Sequence, residues 1–433
     1  MSKKKIFLFE FASGGGFNQV NIPTSLFCEG FGMLRSIIED FKSLDFEISI
    51  LLDYRGISYK KFLQADIIKQ VNANDDYLVK FEKEVKNCEF CFLIAPEFSD
   101  ILYKLTKIVK NNNKEILSED LDGITLGTYK LDTYEFFKTF KANTPLSFLI
   151  SRKKQNFNAN SIIQKFNQLT CPVIIKPEDG VGAGNIFYFE NEKQIREFFK
   201  DLTEKLDINR NYILQEFIEG RDLSVSLIGT SSNPIILSVN TQNLNIKNHN
   251  GESEYLGGTT PAENYEEITK NLVKILENMD LSKFSSYYGI DFIRKKDKSI
   301  YFIEINPRLT TSYIGIRNIV DKNLAELIWD TKMKSLSSSE IHFRNFSQFS
   351  RIELDYNGNK TAIEIKEEII PKLVKEIPEL VTPPISFNNS NQNRNIRYSC
   401  FIATKEKNYE SSRIRLTKIM ETFKKLDFYS INL

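Results

Sequence analysis

Residues 289–308 carry three side chains able to share a divalent ion. Two apolar runs, Ile290-Asp291-Phe292-Ile293 and Phe302-Ile303-Glu304-Ile305, flank the polar stretch Lys295-Lys296-Asp297-Lys298-Ser299. A hairpin with its turn centred on Asp297-Lys298 sets Asp291 opposite Glu304. Directly opposed residues have Cβ atoms only about 4.5–5.5 Å apart, where two carboxylates repel. Asn306, two positions beyond Glu304, projects from the same face. Two carboxylates and an amide make an all-oxygen set, which suits a hard divalent cation such as magnesium carried by a nucleotide. The competing reading is the solvated acidic face of an ordinary antiparallel hairpin.

A second group could hold phosphates. Lys176-Pro177-Glu178-Asp179-Gly180-Val181-Gly182-Ala183-Gly184 leaves one apolar strand and enters another. Its glycines let the backbone approach a ligand and turn successive N–H groups toward phosphate oxygens. Lys176 adds positive charge where the strand ends. The loop lacks the G-K-[ST] ending of a Walker A motif, and a plain glycine-rich hairpin loop has the same composition. Further on, Gln215-Glu216-Phe217-Ile218-Glu219-Gly220-Arg221-Asp222-Leu223-Ser224-Val225 reads as strand, turn and strand. Such a connector can offer backbone groups to a base edge and a carboxylate to a ribose. It can equally be a turn with exposed charges.

Several layers are needed to position these groups. Residues 6–11, 46–52 and 90–95 are strand-like. Helical periodicity runs through Leu26, Phe27, Phe31, Leu34, Ile37, Ile38 and Phe41, and again through Ile101, Leu105 and Ile108. Strand alternating with helix implies a parallel sheet in a first unit, residues 1–115. A second unit, residues 116–205, has a helix over 128–140, a strand over 173–175, the glycine loop, a strand over 186–189 and a helix over 192–202. Residues 206–335 are richer in strands, at 212–218, 223–228, 235–239, 289–294 and 300–305, with a helix over 266–278. The polar stretch 240–254 is expected to be a mobile loop. Residues 336–433 contain Pro383-Pro384 and an Asn-rich run at 388–395, both loop signals, before a closing helix over 412–426. The fold class expected is α/β and α+β, in several domains.

In order and spacing these pieces resemble the ATP-grasp superfamily. The resemblance implies an ATP-grasp fold whose small lid subdomain is residues 116–205 and whose large, metal-binding subdomain is 206–335. A Rossmann-like parallel-sheet domain (1–115) precedes it and a small α/β extension (336–433) follows. Lys130, in Thr128-Tyr129-Lys130-Leu131-Asp132-Thr133-Tyr134, looks like the family's first nucleotide lysine, and Lys176 like the second. Gly180, Gly182, Ala183 and Gly184 fall in what resembles the flexible phosphate lid. By the same resemblance Gln215 would face the adenine amino group, Ile218 would offer backbone contacts and Asp222 would bind ribose. Asp291, Glu304 and Asn306 match the metal ligands. Arg308 matches the residue that stabilises charge on the transferred phosphoryl group, with Lys176 as its catalytic companion. The implied cofactors are ATP and Mg2+, with Mn2+ as a substitute. The implied partners are a small-molecule acid and an amine, and a homodimer is an allowed assembly.

A narrower resemblance is to archaeal tyramine–glutamate ligases of methanofuran biosynthesis. It rests on Phe9-Glu10-Phe11-Ala12-Ser13-Gly14, Glu29-Gly30-Phe31-Gly32-Met33-Leu34 and Leu256-Gly257-Gly258-Thr259-Thr260-Pro261. The added C-terminal segment and the consecutive Gly14-Gly15-Gly16 depart from that group. The activity implied is a carboxylate–amine ligase acting through an acyl phosphate, with glutamate and tyramine or a related amine as the leading pair. An ATP-dependent carboxylase or phosphotransferase, or a nucleotide-binding regulatory protein with little turnover, are the alternatives.

Composition narrows the rest. The 433 residues carry a formal charge of +1, which argues against broad electrostatic binding of nucleic acid. Five scattered cysteines suit a reducing interior. Cys88 and Cys91 read as buried strand thiols rather than a zinc site, because no second pair follows. With only His249 and His342, a His-rich metal site is excluded. No stretch approaches membrane-spanning length and no cleavable leader pattern is present, so a cytoplasmic location is expected. Ser13 to Gly16 reads as either a substrate loop or a bare βα turn. Glu29 and Arg35 either point to the cleft or cap and solvate a helix, with the second reading preferred; Met33 reads as core, and Arg221 and Arg317 as surface charges. His249 reads as solvated, and Tyr255 and Thr259 as neighbours of a substrate loop.

Overall fold

The computed structural model describes residues 3–151, 158–169, 172–180, 186–200, 207, 210–245, 253–387 and 396–431. β1 (Lys5–Glu10) is buried from Ile6 onward. A run with no solvated face belongs in the middle of a covered parallel sheet. It pairs in parallel with β2 (Glu47–Asp53) on one side and β4 (Phe90–Ile94) on the other. β3 (Ile67–Val71) and β5 (Glu115–Ile116) extend the sheet to the order β3-β2-β1-β4-β5. The chain winds outward from β1 in one direction and then resumes at β4 on the other side. The carboxyl ends of β1 and β4 therefore open the crevice where such sheets bind ligands. Helix α1 (Thr24–Lys42) covers one face with Phe27, Phe31, Leu34, Ile37, Ile38 and Phe41, all fully buried. Helices α2 (Tyr77–Asn87) and α3 (Ile101–Asn111) supply Phe81, Val85, Leu102 and Leu105 to the core that also holds Phe7 and Phe9.

Two helices lead onward, α4 (Leu121–Thr128) and α5 (Lys130–Thr139). The helix expected over 128–140 is α5, which starts two residues later than expected. Tyr129 is extended (φ −101, ψ 123), and the Lys130 N–H donates to Glu178 O at 3.0 Å instead of continuing a helix. A small antiparallel sheet follows, made of β6 (Ser147–Ile150), β7 (Val173–Pro177), β8 (Phe187–Phe189) and β9 (Tyr212–Glu216) in the order β6-β9-β7-β8. Helices α6 (Ala159–Phe166) and α7 (Glu192–Lys200) pack Ile162, Ile195 and Phe198 beneath it.

The next sheet contains β10 (Arg221–Ile228), β11 (Ile235–Thr241), β15 (Tyr287–Arg294) and β16 (Ile300–Asn306), in the order β11-β10-β15-β16. The helix Tyr265–Leu276 buries Ile268 and Leu272 under it. Part of the stretch expected as a mobile loop is strand instead. Asn240 lies fully buried in β11 and its amide donates to Ser224 Oγ and Ser226 Oγ, while β12 (Leu244–Asn245) pairs with β13 (Glu254–Tyr255). Residues 246–252 lie outside the described set.

The last sheet crosses a long sequence gap. β14 (Gly257–Thr260) pairs with β17 (Ser347–Tyr356), which also pairs with β19 (Ile396–Ala403) and β20 (Phe428–Ser430), and β18 (Leu380–Ile385) lies outside β19. This sheet touches α1 directly. Cys28 Sγ lies 2.9 Å from Thr382 Oγ1, and the Arg35 guanidinium donates to Leu380 O and Val381 O. Residues after 336 are thus woven into the first helix and the middle of the chain.

Candidate active site

The hairpin carrying the acidic pair turns more widely than a two-residue loop, with Lys295 N–H donating to Ser299 O at 3.0 Å. Next to it Arg294 faces Ile300, Ile293 faces Tyr301 and Phe292 faces Phe302. Continued unbroken, that register would place Asp291 against Ile303 and drive Glu304 into the core. The register slips by one residue between Asp291 and Phe292, so Asp291 faces Glu304 and Gly289 faces Asn306. A bulge turns two successive residues toward one side, and Ile303 and Glu304 both line the same cavity. The expected pairing is present, but a wider turn plus a bulge produces it.

That cavity, about 360 Å³, lies between the inner faces of the small sheet and the β10–β15–β16 sheet. Ile174 stands opposite Gln215, and Lys176 lies two residues along on the same face, while Val173, Ile175 and Leu214 turn to the core. Across the gap Asp222 is registered with Ile293, and Ser224 with Asp291. Lys130, the first residue of α5, points its ammonium at Glu304 Oε2 (3.3 Å) and donates to Gly180 O (2.5 Å). Lys176 Nζ is 3.6 Å from the same carboxylate oxygen. The Arg308 guanidinium is held 3.0 Å from Glu97, in the loop after β4.

The two acids differ electrostatically. Burial pushes Glu304 up, but Lys130 and Lys176 outweigh it and hold the carboxyl below its usual range. Among the described residues no ammonium lies at contact distance from Asp291, and burial and then Glu304 push it up to about 7. Its oxygens accept from Gln242 Nε2 (3.0 Å) and Asn306 Nδ2 (3.1 Å). Burial lowers Lys176 to about 8, against the pull of Glu304. A buried acidic pair that repels itself is suited to a divalent cation. Among the described residues no group of three or more His, Cys, Asp or Glu forms a metal cluster. Two carboxylates and an amide would leave part of the shell to oxygens of a bound ligand, as suits magnesium.

An ATP-grasp domain is matched over residues 128–312, and the domain that precedes it in that family over 47–123. The chain is an ATP-grasp ligase. It is 28% identical to the tyramine–L-glutamate ligase of Methanocaldococcus jannaschii over 341 residues, covering 78% of this chain and 91% of that one. In structure it resembles an ATP-grasp superfamily protein from Archaeoglobus fulgidus (TM-score 0.56, 24% identity, 83% of this chain and 95% of the other). It also resembles the L-amino acid ligase of Bacillus licheniformis (TM-score 0.64, 15% identity, all of both chains).

Within this ligase Lys130, Lys176, Gly180, Gln215, Ile218, Asp222, Asp291, Glu304, Asn306 and Arg308 all line one cavity. Gly182, Ala183 and Gly184 lie outside the described residues. Gln215 is buried with its amide donating to Ser147 Oγ at 2.9 Å, and burial raises Asp222 to about 6. Ile174, Ile186, Phe217, Ile293 and Ile303 add an apolar slot that the motif reading missed. Period two could have found Ile174 and Ile293. Ile303 depends on the bulge. Gln242 and Glu97 carried no local signal, since their partners are remote in sequence.

The far end of the cavity belongs to the first domain and to α1. Glu10, Phe11 and Ala12 leave β1, Ala95 and Pro96 leave β4, and Glu29 and Met33 come from α1. Glu29 is thus a cavity residue, not a helix-surface charge, and it pairs with Arg351 at 2.6 Å. Arg317 is also misplaced by sequence alone. Its guanidinium grips Asp40 at 2.7 Å, because the helix Ser312–Ile319 docks on α1. Arg35 ties α1 to the C-terminal sheet. Gly14, Gly15 and Gly16 serve a tight turn: a Cβ would come within 2.5 Å of Glu10 O at Gly14 and 2.3 Å of the Phe11 ring at Gly16, and Gly15 has φ +98. Arg221 remains at the surface near Glu263, and His249 lies outside the described residues. Tyr255 lines the cavity and accepts from Thr311 Oγ1, whereas Thr259 bonds Thr241. Cys88 and Cys91 are buried, with sulfurs 3.4 Å apart. No helix among the described residues is long and apolar enough to cross a membrane.

Proposed function

We propose that this ligase uses ATP to activate a substrate carboxylate and joins it to an amine. The observation that carries the reading is the pairing of Asp291 with Glu304 on one wall of a cavity that two buried lysines also enter. In it Lys130 and Lys176 neutralise ATP phosphates, with backbone N–H groups near Gly180 assisting. The adenine occupies the slot of Ile174, Ile186, Phe217 and Ile303, with Gln215 and the Ile218 backbone reading its edge and Asp222 accepting from the ribose. Asp291, Glu304 and Asn306 would hold Mg2+, which supplies charge neutralisation at the phosphates.

The substrate carboxylate attacks the γ-phosphorus, the bond from that phosphorus to the β,γ-bridging oxygen breaks, and ADP departs to leave an acyl phosphate. Arg308 stabilises the negative charge that moves onto the transferred group. The amine then attacks the acyl carbon and phosphate departs. The walls made by Phe11, Ala95 and Pro96 keep water from the activated acid. The relative named for tyramine and L-glutamate supports an amino acid and an aromatic amine as the pair. We assign residues 1–115 to the preceding domain, 116–205 and 206–335 to the two ATP-grasp subdomains, and 336–433 to a C-terminal extension.

The test is ADP release and amide formation with ATP, magnesium and a panel of acids and amines. Glu304→Gln should lower turnover at least about a hundredfold, as expected when a group acting on transition-state charge is lost, and chelation of the metal should do the same to the unaltered chain. Full turnover of Glu304→Gln would remove the metal assignment.

A further inference from the structure

The charges at the nucleotide end of the cavity are mixed: Lys130 and Lys176 stand among Glu216, Asp222, Asp291 and Glu304, and Arg308 is matched by Glu97. At the other end the charged side chains that line it, among the described residues, are the carboxylates of Glu10 and Glu29. Glu10 is occupied by its own loop: Ala12 N–H, Ser13 N–H and Ser13 Oγ–H all donate to it. Among the described residues no backbone N–H donates to Glu29 in this way. Arg351 of β17 donates to Glu29 Oε1 at 2.6 Å, and Arg351 Nε also lies 3.2 Å from Glu353. A single guanidinium thus stands between two carboxylates and fixes Glu29 from behind.

The surroundings of Glu29 are apolar. Phe11, Phe17, Leu26 and Met33 line the same part of the cavity, with Leu26 and Met33 on the helix that carries Glu29. Burial pushes the Glu29 carboxyl upward and Arg351 opposes it. A desolvated carboxylate beside an apolar wall is complementary to a cation with a hydrophobic body.

We propose that Glu29 binds the ammonium group of the amine substrate while Phe11, Phe17, Leu26 and Met33 take its apolar body, with Arg351 as the positioning residue that aims Glu29. The inference rests on the ligase reading and extends it to the acceptor site. It also gives the C-terminal segment a role, since Glu29 and Arg351 both lie outside the stretches matched to the family, 47–123 and 128–312.

Calorimetry on the full chain, with phenethylamine and its neutral analogue 2-phenylethanol as probes, tests the site directly. The unaltered chain should prefer the ammonium by at least about tenfold, as a charge-assisted hydrogen bond requires, and Glu29→Gln should abolish the preference. In turnover, Glu29→Gln should raise KM for the amine at least about tenfold and leave KM for ATP within about twofold. Arg351→Met should raise the amine KM, and Arg351→Lys should restore most of it. Should Glu29→Gln fail to fold, Glu29→Asp replaces it and should retain a weakened preference. No preference in the unaltered chain, or its survival in folded Glu29→Gln, overturns the inference. The ligase reading fails separately, if the unaltered chain forms no amide with any acid and amine.

Discussion

Asp222 shows how one residue can set a pH dependence. Burial alone raises it to about 6 from 3.8. A carboxyl whose folded pKa is raised keeps its proton in the folded chain after the unfolded chain has lost it. Its effect on stability is therefore absent below the unfolded value and becomes a cost as pH rises toward 6. In the ribose contact proposed for Asp222 the ionised carboxylate is the stronger acceptor, so KM for ATP should rise as pH falls through about 6. Asp222→Asn should remove both effects. Thermal unfolding at pH 7 should show a gain on the order of 1 kcal/mol, discounted for partial exposure. That gain should vanish below pH 3.8, while the ATP KM becomes higher and flat with pH. A sloping ATP KM in Asp222→Asn would assign the titration to another group.

At the scale of the element, α1 and β1 must meet closely for the cavity to have its far wall. A Cβ on Gly30 would lie 2.3 Å from Glu10 Oε2, and Glu10 cannot retreat because three donors hold it. Gly30→Ala should cost about 1–3 kcal/mol, as overpacking does, despite the better helix propensity of alanine. Gly32→Ala on the same helix is the comparison, since its nearest contact would be 3.3 Å from the Thr382 methyl. Equal melting temperatures for the two variants would show that the α1–β1 approach is looser than described. The hairpin makes the complementary point. Period-two alternation announced that Asp291, Glu304 and Asn306 share a face, but only the bulge beside Ile303 makes that face the cavity side.

Across the whole molecule, the C-terminal segment closes the structure rather than decorating it. β17 pairs with β14, Thr382 meets Cys28, and Arg351 meets Glu29. Removing residues 337–433 would strip β14 of its partner strand and uncover the apolar face of α1. We expect the truncated chain to be insoluble or to lose cooperative unfolding, measured by soluble yield and by calorimetric melting. A soluble, cooperatively melting truncation with unchanged amine KM would show that the segment is an accessory.

The sequence alone determined the features that depend on local spacing. The alternation in residues 289–308, the glycine loop after Lys176 and the apolar rhythm of α1 are set by backbone geometry within a few residues, so they can be read without knowing the fold. The family order added Lys130 and Arg308 to that set. Tertiary structure decided what depends on two distant segments meeting. Glu29 reads as a solvated helix charge until β17 brings Arg351 across 322 positions, and Arg317 as a surface charge until its helix meets Asp40. Burial and charge pairing are properties of the packed chain, and no local pattern contains them.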